Sequence, residues 1–198
     1  TGFTPDIGQQ IFSSSDTLTF LAPFDLDGNG AKDLLAGYPD GRILFFEKSS
    51  GENPFQYRGE ILNIRNGLLF GAVLDVDHDG FDDLVVAAER GCTANETCTD
   101  LYRNKNGFLQ REHLAFPISI KGSLQSLKIS DMNLDGFEDL ILVDSEGSVK
   151  IFYNVNGNFE TQGTFLGNFG GGGSQLSISP QFSDVPKTNY PALLVSSQ

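Results

Sequence analysis

Leu74-Asp75-Val76-Asp77-His78-Asp79-Gly80-Phe81-Asp82-Asp83-Leu84-Val85 is an acidic loop set between two apolar runs, and the chain repeats it. Phe24-Asp25-Leu26-Asp27-Gly28-Asn29-Gly30-Ala31-Lys32-Asp33-Leu34-Leu35 and Ser130-Asp131-Met132-Asn133-Leu134-Asp135-Gly136-Phe137-Glu138-Asp139-Leu140-Ile141 superimpose on it, with first aspartates 50 residues before and 56 after Asp75. A fourth copy is degenerate: Phe182-Ser183-Asp184-Val185 and Tyr190-Pro191-Ala192-Leu193-Leu194-Val195 hold register without the acidic ladder. A repeat of this period governs the fold, because each copy is one supersecondary unit that buries its apolar faces against its neighbours.

The flanks repeat too. One apolar strand enters each acidic loop and a second leaves it. A tight turn such as Pro39-Asp40-Gly41 or Glu146-Gly147 feeds a third, and a fourth opens with a phenylalanine at Pro54-Phe55, Gly107-Phe108 and Asn158-Phe159. The apolar runs are short and β-branched, and no window has uninterrupted helical periodicity, so the chain reads as all-β with almost no helix. Four antiparallel strands per period of about 50 residues is the pattern of a β-propeller blade. The predicted organisation is the end of a preceding blade over 1–16, whole blades over 17–65, 66–121 and 122–170, and a partial blade over 171–198. A blade that stops after two strands leaves an edge uncovered, so the expectation is a segment of a larger propeller. The alternative is a four-bladed ring closed by the N-terminal strand.

The loops have a chemical logic. Side chains at positions 1, 3 and 5 of a tightly curled loop converge, a glycine at position 6 permits the turn, position 7 offers its carbonyl, and position 9 closes the sphere. That many hard oxygens suits Ca²⁺ better than Mg²⁺, which retains its waters. The first half of each loop resembles an EF-hand, with an aspartate at position 9 in place of a twelfth-position glutamate. The predicted sites are Asp25, Asp27, Asn29, Ala31 (carbonyl) and Asp33; Asp75, Asp77, Asp79, Phe81 (carbonyl) and Asp83; and Asp131, Asn133, Asp135, Phe137 (carbonyl) and Asp139. Their formal charges of −3, −4 and −3 account for most of the chain's net −13. Ligand charge tunes affinity, so the middle site is expected to bind most tightly. Lys32, Asp82 and Glu138, at position 8, and His78, at position 4, are expected to face solvent.

Phe70-Gly71 followed by this loop resembles an FG-GAP repeat, the calcium-loop blade of integrin α-chain propellers. The likeness extends over nearly the whole chain, although the Phe-Gly pair is missing before Asp25 and Asp131. It implies a non-enzymatic propeller scaffold. The acidic loop followed by a Cys-bounded insertion is also similar to the T-cell immunomodulatory protein group, which are cell-surface proteins.

Cys92 and Cys98 bracket that insertion in the turn after the second strand of the middle blade. They read as a local disulfide contributing about 2–3 kcal/mol by loop closure, and the polar insertion speaks against a pair of buried free thiols. Asn95-Glu96-Thr97 is an N-glycosylation acceptor, making Asn95 the expected glycan site. Disulfide, sequon and calcium loops together indicate an extracellular setting, secreted or on the cell surface.

Thirteen Lys+Arg against 26 Asp+Glu exclude a basic footprint for nucleic-acid phosphates or an anionic membrane surface. No apolar run approaches a membrane span. No catalytic set stands outside the loops: every clustered aspartate belongs to a metal site, His78 and His113 share no ligand spacing, and Gly-x-Ser-x-Gly is missing. The glycines at 170–173 lack the following Lys-Ser/Thr of a phosphate loop and read as an inter-blade connection. The expected function is an extracellular calcium-binding propeller scaffold that binds another protein, as in adhesion. Two alternatives stand beside it. One is a lectin-like propeller using Tyr38, Tyr57, Tyr102, Tyr153 or Tyr190 as sugar platforms, in a chain with no Trp. The other is an accessory domain of a polysaccharide-active enzyme.

Overall fold

The computed structural model describes residues 17–49, 55–64, 67–88, 96–112, 120–121, 123–170, 175–179 and 192–196. None of these is helical, and no helix is long and apolar enough to cross a membrane. Three four-stranded antiparallel meanders follow one another. The first contains β1 (Phe20–Phe24), β2 (Asp33–Gly37), β3 (Arg42–Lys48) and β4 (Phe55–Asn63). The second contains β5 (Leu68–Leu74), β6 (Asp83–Ala88), β7 (Glu96–Asn104) and β8 (Leu109–Glu112), with the short β9 (Ile120–Lys121) added beside the start of β7. The third contains β10 (Leu124–Ser130), β11 (Asp139–Asp144), β12 (Ser148–Phe152) and β13 (Thr164–Asn168). Beyond it β14 (Gln175–Ser179) pairs antiparallel with β15 (Ala192–Ser196). These are blade-like repeats, each with its acidic loop joining the first strand to the second.

The sheets stack face to face, and alternation along β6 shows how. Leu84, Val86 and Ala88 pack with Phe24, Leu35, Ile43 and Leu68 of the first repeat and its junction with the second. Val85 and Ala87 pack on the other side with Leu124, Leu127, Leu140 and Leu142 of the third. Every residue of β6 is therefore buried, which explains an unbroken apolar run where a half-exposed strand would alternate. Removing each such Leu or Val from water contributes about 1.5–3 kcal/mol.

Successive first strands neighbour each other, β1 against β5, β5 against β10 and β10 against β14. At the first of these contacts the ring of Phe20 lies over Gly71, where a Cβ would meet Phe20 Cε1 at 2.4 Å. The glycine of the Phe-Gly pair thus makes room for the aromatic of the preceding sheet.

The fourth strands depart from expectation. Phe55 opens β4 as predicted, but Phe108 is 73% exposed just before β8. Phe159 forms only an isolated bridge to Asn154 and is buried between the second and third sheets. The strand itself begins later, at Thr164, after the chain passes Gly163, whose missing side chain leaves space for the Phe152 ring. The insertion also differs from its reading as a polar hairpin tip. Thr97, Cys98 and Thr99 are buried on β7, and Thr97 Oγ1 accepts the Leu124 N–H at 3.3 Å. Cys92, Asn95, His113, Tyr190, the residues 1–16 and the acidic remnant at Asp184 lie outside the described residues.

Candidate metal centre

Each acidic loop is wound by its own side chains. The position-1 carboxylate accepts amides from positions 5 and 6: Asp25 from Asn29 (3.1 Å) and Gly30 (2.7 Å), Asp75 from Asp79 (3.1 Å) and Gly80 (2.9 Å), Asp131 from Asp135 (3.2 Å) and Gly136 (2.9 Å). The position-5 oxygen accepts the amide two residues on, in Asn29, Asp79 and Asp135 alike. These are nested Asx turns, the local geometry that Asp and Asn adopt in competition with regular structure. Position 6 is a glycine at positive φ in every copy. Position 4 shares that conformation as Gly28 (φ 70), His78 (φ 57) and Leu134 (φ 63). Only the first copy signals this in sequence.

Position 9 has a second task. Asp33, Asp83 and Asp139 are buried, and one oxygen of each accepts the amide at the end of the third strand: Lys48 (2.7 Å), Asn104 (2.7 Å) and Asn154 (2.8 Å). In the second and third loops the other oxygen accepts the position-2 amide, from Val76 (3.0 Å) and Met132 (2.8 Å). Burial raises the pKa of all three. For Asp83 it prevails over those two hydrogen bonds and brings the value to about 6. A low-dielectric site disfavours the lone carboxylate, and an adjacent cation would reverse that preference.

In the middle loop Asp75, Asp77 and Asp83 each bring one oxygen within 4.8 Å of the others. Asp77 Oδ1 is buried there and accepts no hydrogen bond. Its other oxygen receives Arg103 Nη1 at 2.8 Å and Lys105 Nζ at 3.3 Å. Burial pushes the Asp77 pKa up, but these two cations outweigh it and hold the group below the ordinary aspartate value. Three hard oxygens with one buried and unpartnered acceptor are a donor set that fits a calcium ion.

Of the three expected sites, only the middle one brings three carboxylates this close together among the described residues. In the first loop Asp27 Oδ1 turns to the Asn29 amide at 3.2 Å. In the third, position 3 is the amide Asn133, which accepts from Asp135 N–H and donates to Asp135 Oδ2 at 2.9 Å.

At position 8 Lys32 is exposed as expected, but Asp82 and Glu138 are not, because the loops of successive sheets abut. Asp82 accepts the Asp25 amide at 2.6 Å and Lys32 Nζ at 2.8 and 2.6 Å, and its side chain is 13% exposed. Glu138 is half-buried, which raises its pKa; His78 opposes the shift and neighbouring aspartates add to it. His78 is exposed but stacks on Phe137, with centroids 4.2 Å apart. The opposite charges of Lys32 and Asp82 at one repeat position were the available sequence signal for their contact.

Asn104 and Asn154 were also missed. Each is fully buried and ties three elements together. Its side-chain amide donates to a carbonyl in the preceding loop, Leu26 at 2.7 Å or Val76 at 2.9 Å, and its Oδ1 accepts from Gly107 or Gly157. Of the tyrosines considered for a sugar platform, Tyr38 and Tyr102 are buried and Tyr57 is exposed.

Residues 70–95, the middle loop with its Phe-Gly pair, match the FG-GAP repeat family. That stretch carries an FG-GAP-like repeat. The chain is also similar to integrin alpha-8 of Gallus gallus, with 25% identity over 211 aligned residues that cover 88% of this chain. It spans 19% of that relative's length. FG-GAP repeats are non-catalytic scaffold units, and the repeat match and the acidic cluster together support a calcium-associated β-repeat scaffold.

Proposed function

We propose that this FG-GAP segment is part of an extracellular calcium-stabilised β-propeller whose loops and blade faces bind another protein, in the manner of an adhesion or receptor ectodomain. The observation that carries it is the convergence of Asp75, Asp77 and Asp83 around the unpartnered Asp77 Oδ1, inside the repeat that matches the family. All three loops take calcium in this reading, because the first and third share the nested turns of the second and replace one carboxylate with an amide oxygen, also a hard donor. The blades run 17–65, 66–121 and 122–170, with 171–198 opening the next. Face-to-face stacking of the sheets and adjacency of their first strands support that division. Cys92 pairs with Cys98, supported by the absence of a free cysteine among the described residues, and Asn95 carries a glycan. The resemblance to an integrin α-chain supports the extracellular setting and the protein partner.

The test is a thermal melt in excess chelator and again in calcium. Saturating a site a hundredfold above its Kd adds about 2.7 kcal/mol, so calcium should raise the melting temperature by about 5–10 °C for a chain of this size. Magnesium should do much less, and Asp75→Asn should remove part of the rise. A melt indifferent to both chelator and calcium would sink the metal reading.

A further inference from the structure

The three repeats share their loop geometry but not the charges beside it. At the end of the third strand they read Glu47-Lys48-Ser49, Arg103-Asn104-Lys105 and Tyr153-Asn154-Val155. The central residue does the same work in each, its amide donating to the position-9 aspartate. Only the middle repeat flanks it with two cations, and that is the repeat whose loop has carboxylates at all four side-chain ligand positions, 1, 3, 5 and 9.

The two cations are held differently. Arg103 is 10% exposed and fixed in three directions: Nη1 to Asp77, Nε to Glu112, and Nη2 to the Gly157 carbonyl of the next repeat. Lys105 is 44% exposed on a flexible stem, with Nζ 3.3 Å from Asp77 Oδ2 and 3.6 Å from Asp79 Oδ2. Arginine in such a fork is a permanent structural partner, whereas a lysine ammonium is a mobile point charge. Asp77 correspondingly lacks the in-loop hydrogen bond that Asp27 and Asn133 make to the position-5 amide.

We propose that Lys105 is a resident counter-cation of the middle loop, which holds Asp77 and Asp79 in the metal-free chain and competes with calcium for them. It thereby lowers the affinity that four carboxylates would otherwise give. The proposal rests on the calcium reading above. Calcium draws on the same two carboxylates, so the lysine charge opposes the ion's entry even though Lys105 meets Asp77 through Oδ2 and leaves Oδ1 open. Arg103 stays, anchored to Glu112 and Gly157, and keeps the loop attached to the third repeat in either state. The first and third repeats place the uncharged Ser49 and Val155 at the corresponding position.

The amides of Gly30, Gly80 and Gly136 each donate to the position-1 aspartate of their own loop, so their resonances report the three loops separately. Calcium is titrated into the wild-type chain, Lys105→Met and Lys105→Arg while these amides are followed. Removing a unit charge at this distance should lower the Gly80 midpoint about tenfold in Lys105→Met. Gly30 and Gly136 should move by less than about twofold, as sites without a shared partner do. Lys105→Arg, which keeps the charge, should not lower the Gly80 midpoint. If all three amides respond to calcium but the Gly80 midpoint is the same in Lys105→Met and wild type, the Lys105 role is overturned and the calcium reading stands. If no amide responds in any of the three chains, the calcium reading fails first and the role of Lys105 with it.

Discussion

Asp83 carries opposed demands: it is 1% exposed, it accepts two backbone amides, and it stands within reach of two other carboxylates. Burial prevails and lifts its pKa from 3.8 to about 6. Because the folded value lies above the unfolded one, the folded chain binds the extra proton between these two pH values. Asp83 therefore contributes most stability below about pH 4 and loses that contribution as pH rises to about 6. A bound cation favours the carboxylate and should remove the effect. Carboxyl-carbon NMR of the chelated chain should show Asp83 titrating near 6, and calcium should move the midpoint well below 5. An ordinary midpoint near 4 in chelator would count against the buried geometry. The ligand spacing and the position-6 glycines were legible in sequence, since residue type alone dictates them. The second task of position 9 was not, because it depends on an amide at the far end of another strand, 15 to 21 residues away.

At the level of strands, the turns were the most readable feature. Asn106-Gly107 and Asn156-Gly157 form two-residue hairpins with both residues at positive φ, the conformation for which Asn-Gly is selected. The asparagine two residues before each hairpin is a different matter. Asn104 and Asn154 look like ordinary strand-end polar residues, and only the stacking of one sheet on the next reveals that each bonds a loop in the preceding repeat. Replacing either with alanine leaves a buried carbonyl and a buried amide unpaired, which costs about 1–3 kcal/mol for each group. Asn104→Ala and Asn154→Ala should each lower urea-unfolding stability by about 2–4 kcal/mol, whereas Asn158→Ala, at an exposed turn position, should stay within about 0.5 kcal/mol of wild type. Equal small effects from all three would show that the asparagines do not link the sheets. The late start of β13 escaped prediction for a comparable reason: Phe159 is drawn into the space between sheets, and no local pattern encodes that choice.

For the molecule as a whole, the net charge of −13 is concentrated in three loops, and the loops of neighbouring sheets touch. Without cations this arrangement repels itself, and salt screens the repulsion. Raising NaCl from 0.02 to 0.5 M should therefore increase the melting temperature of the chelated chain by about several degrees and alter that of the calcium-loaded chain far less. A chelated chain whose melting temperature falls with salt would mean that its ion pairs outweigh the repulsion. The same loop contacts bear on how the protein could be rebuilt or could diverge. The ring of Phe81 lies against Gly28, where a Cβ would meet it at 2.6 Å, while the equivalent ring of Phe137 stacks on the imidazole of His78. Asp82 is matched to Lys32 in the same way. Each repeat is thus keyed to the one before it, and the three are not interchangeable bricks. A chimera that exchanged the first and second repeats would bring together surfaces that have never faced each other, and substitutions at positions 4, 7 and 8 can be accepted across evolution only as pairs that span the junction.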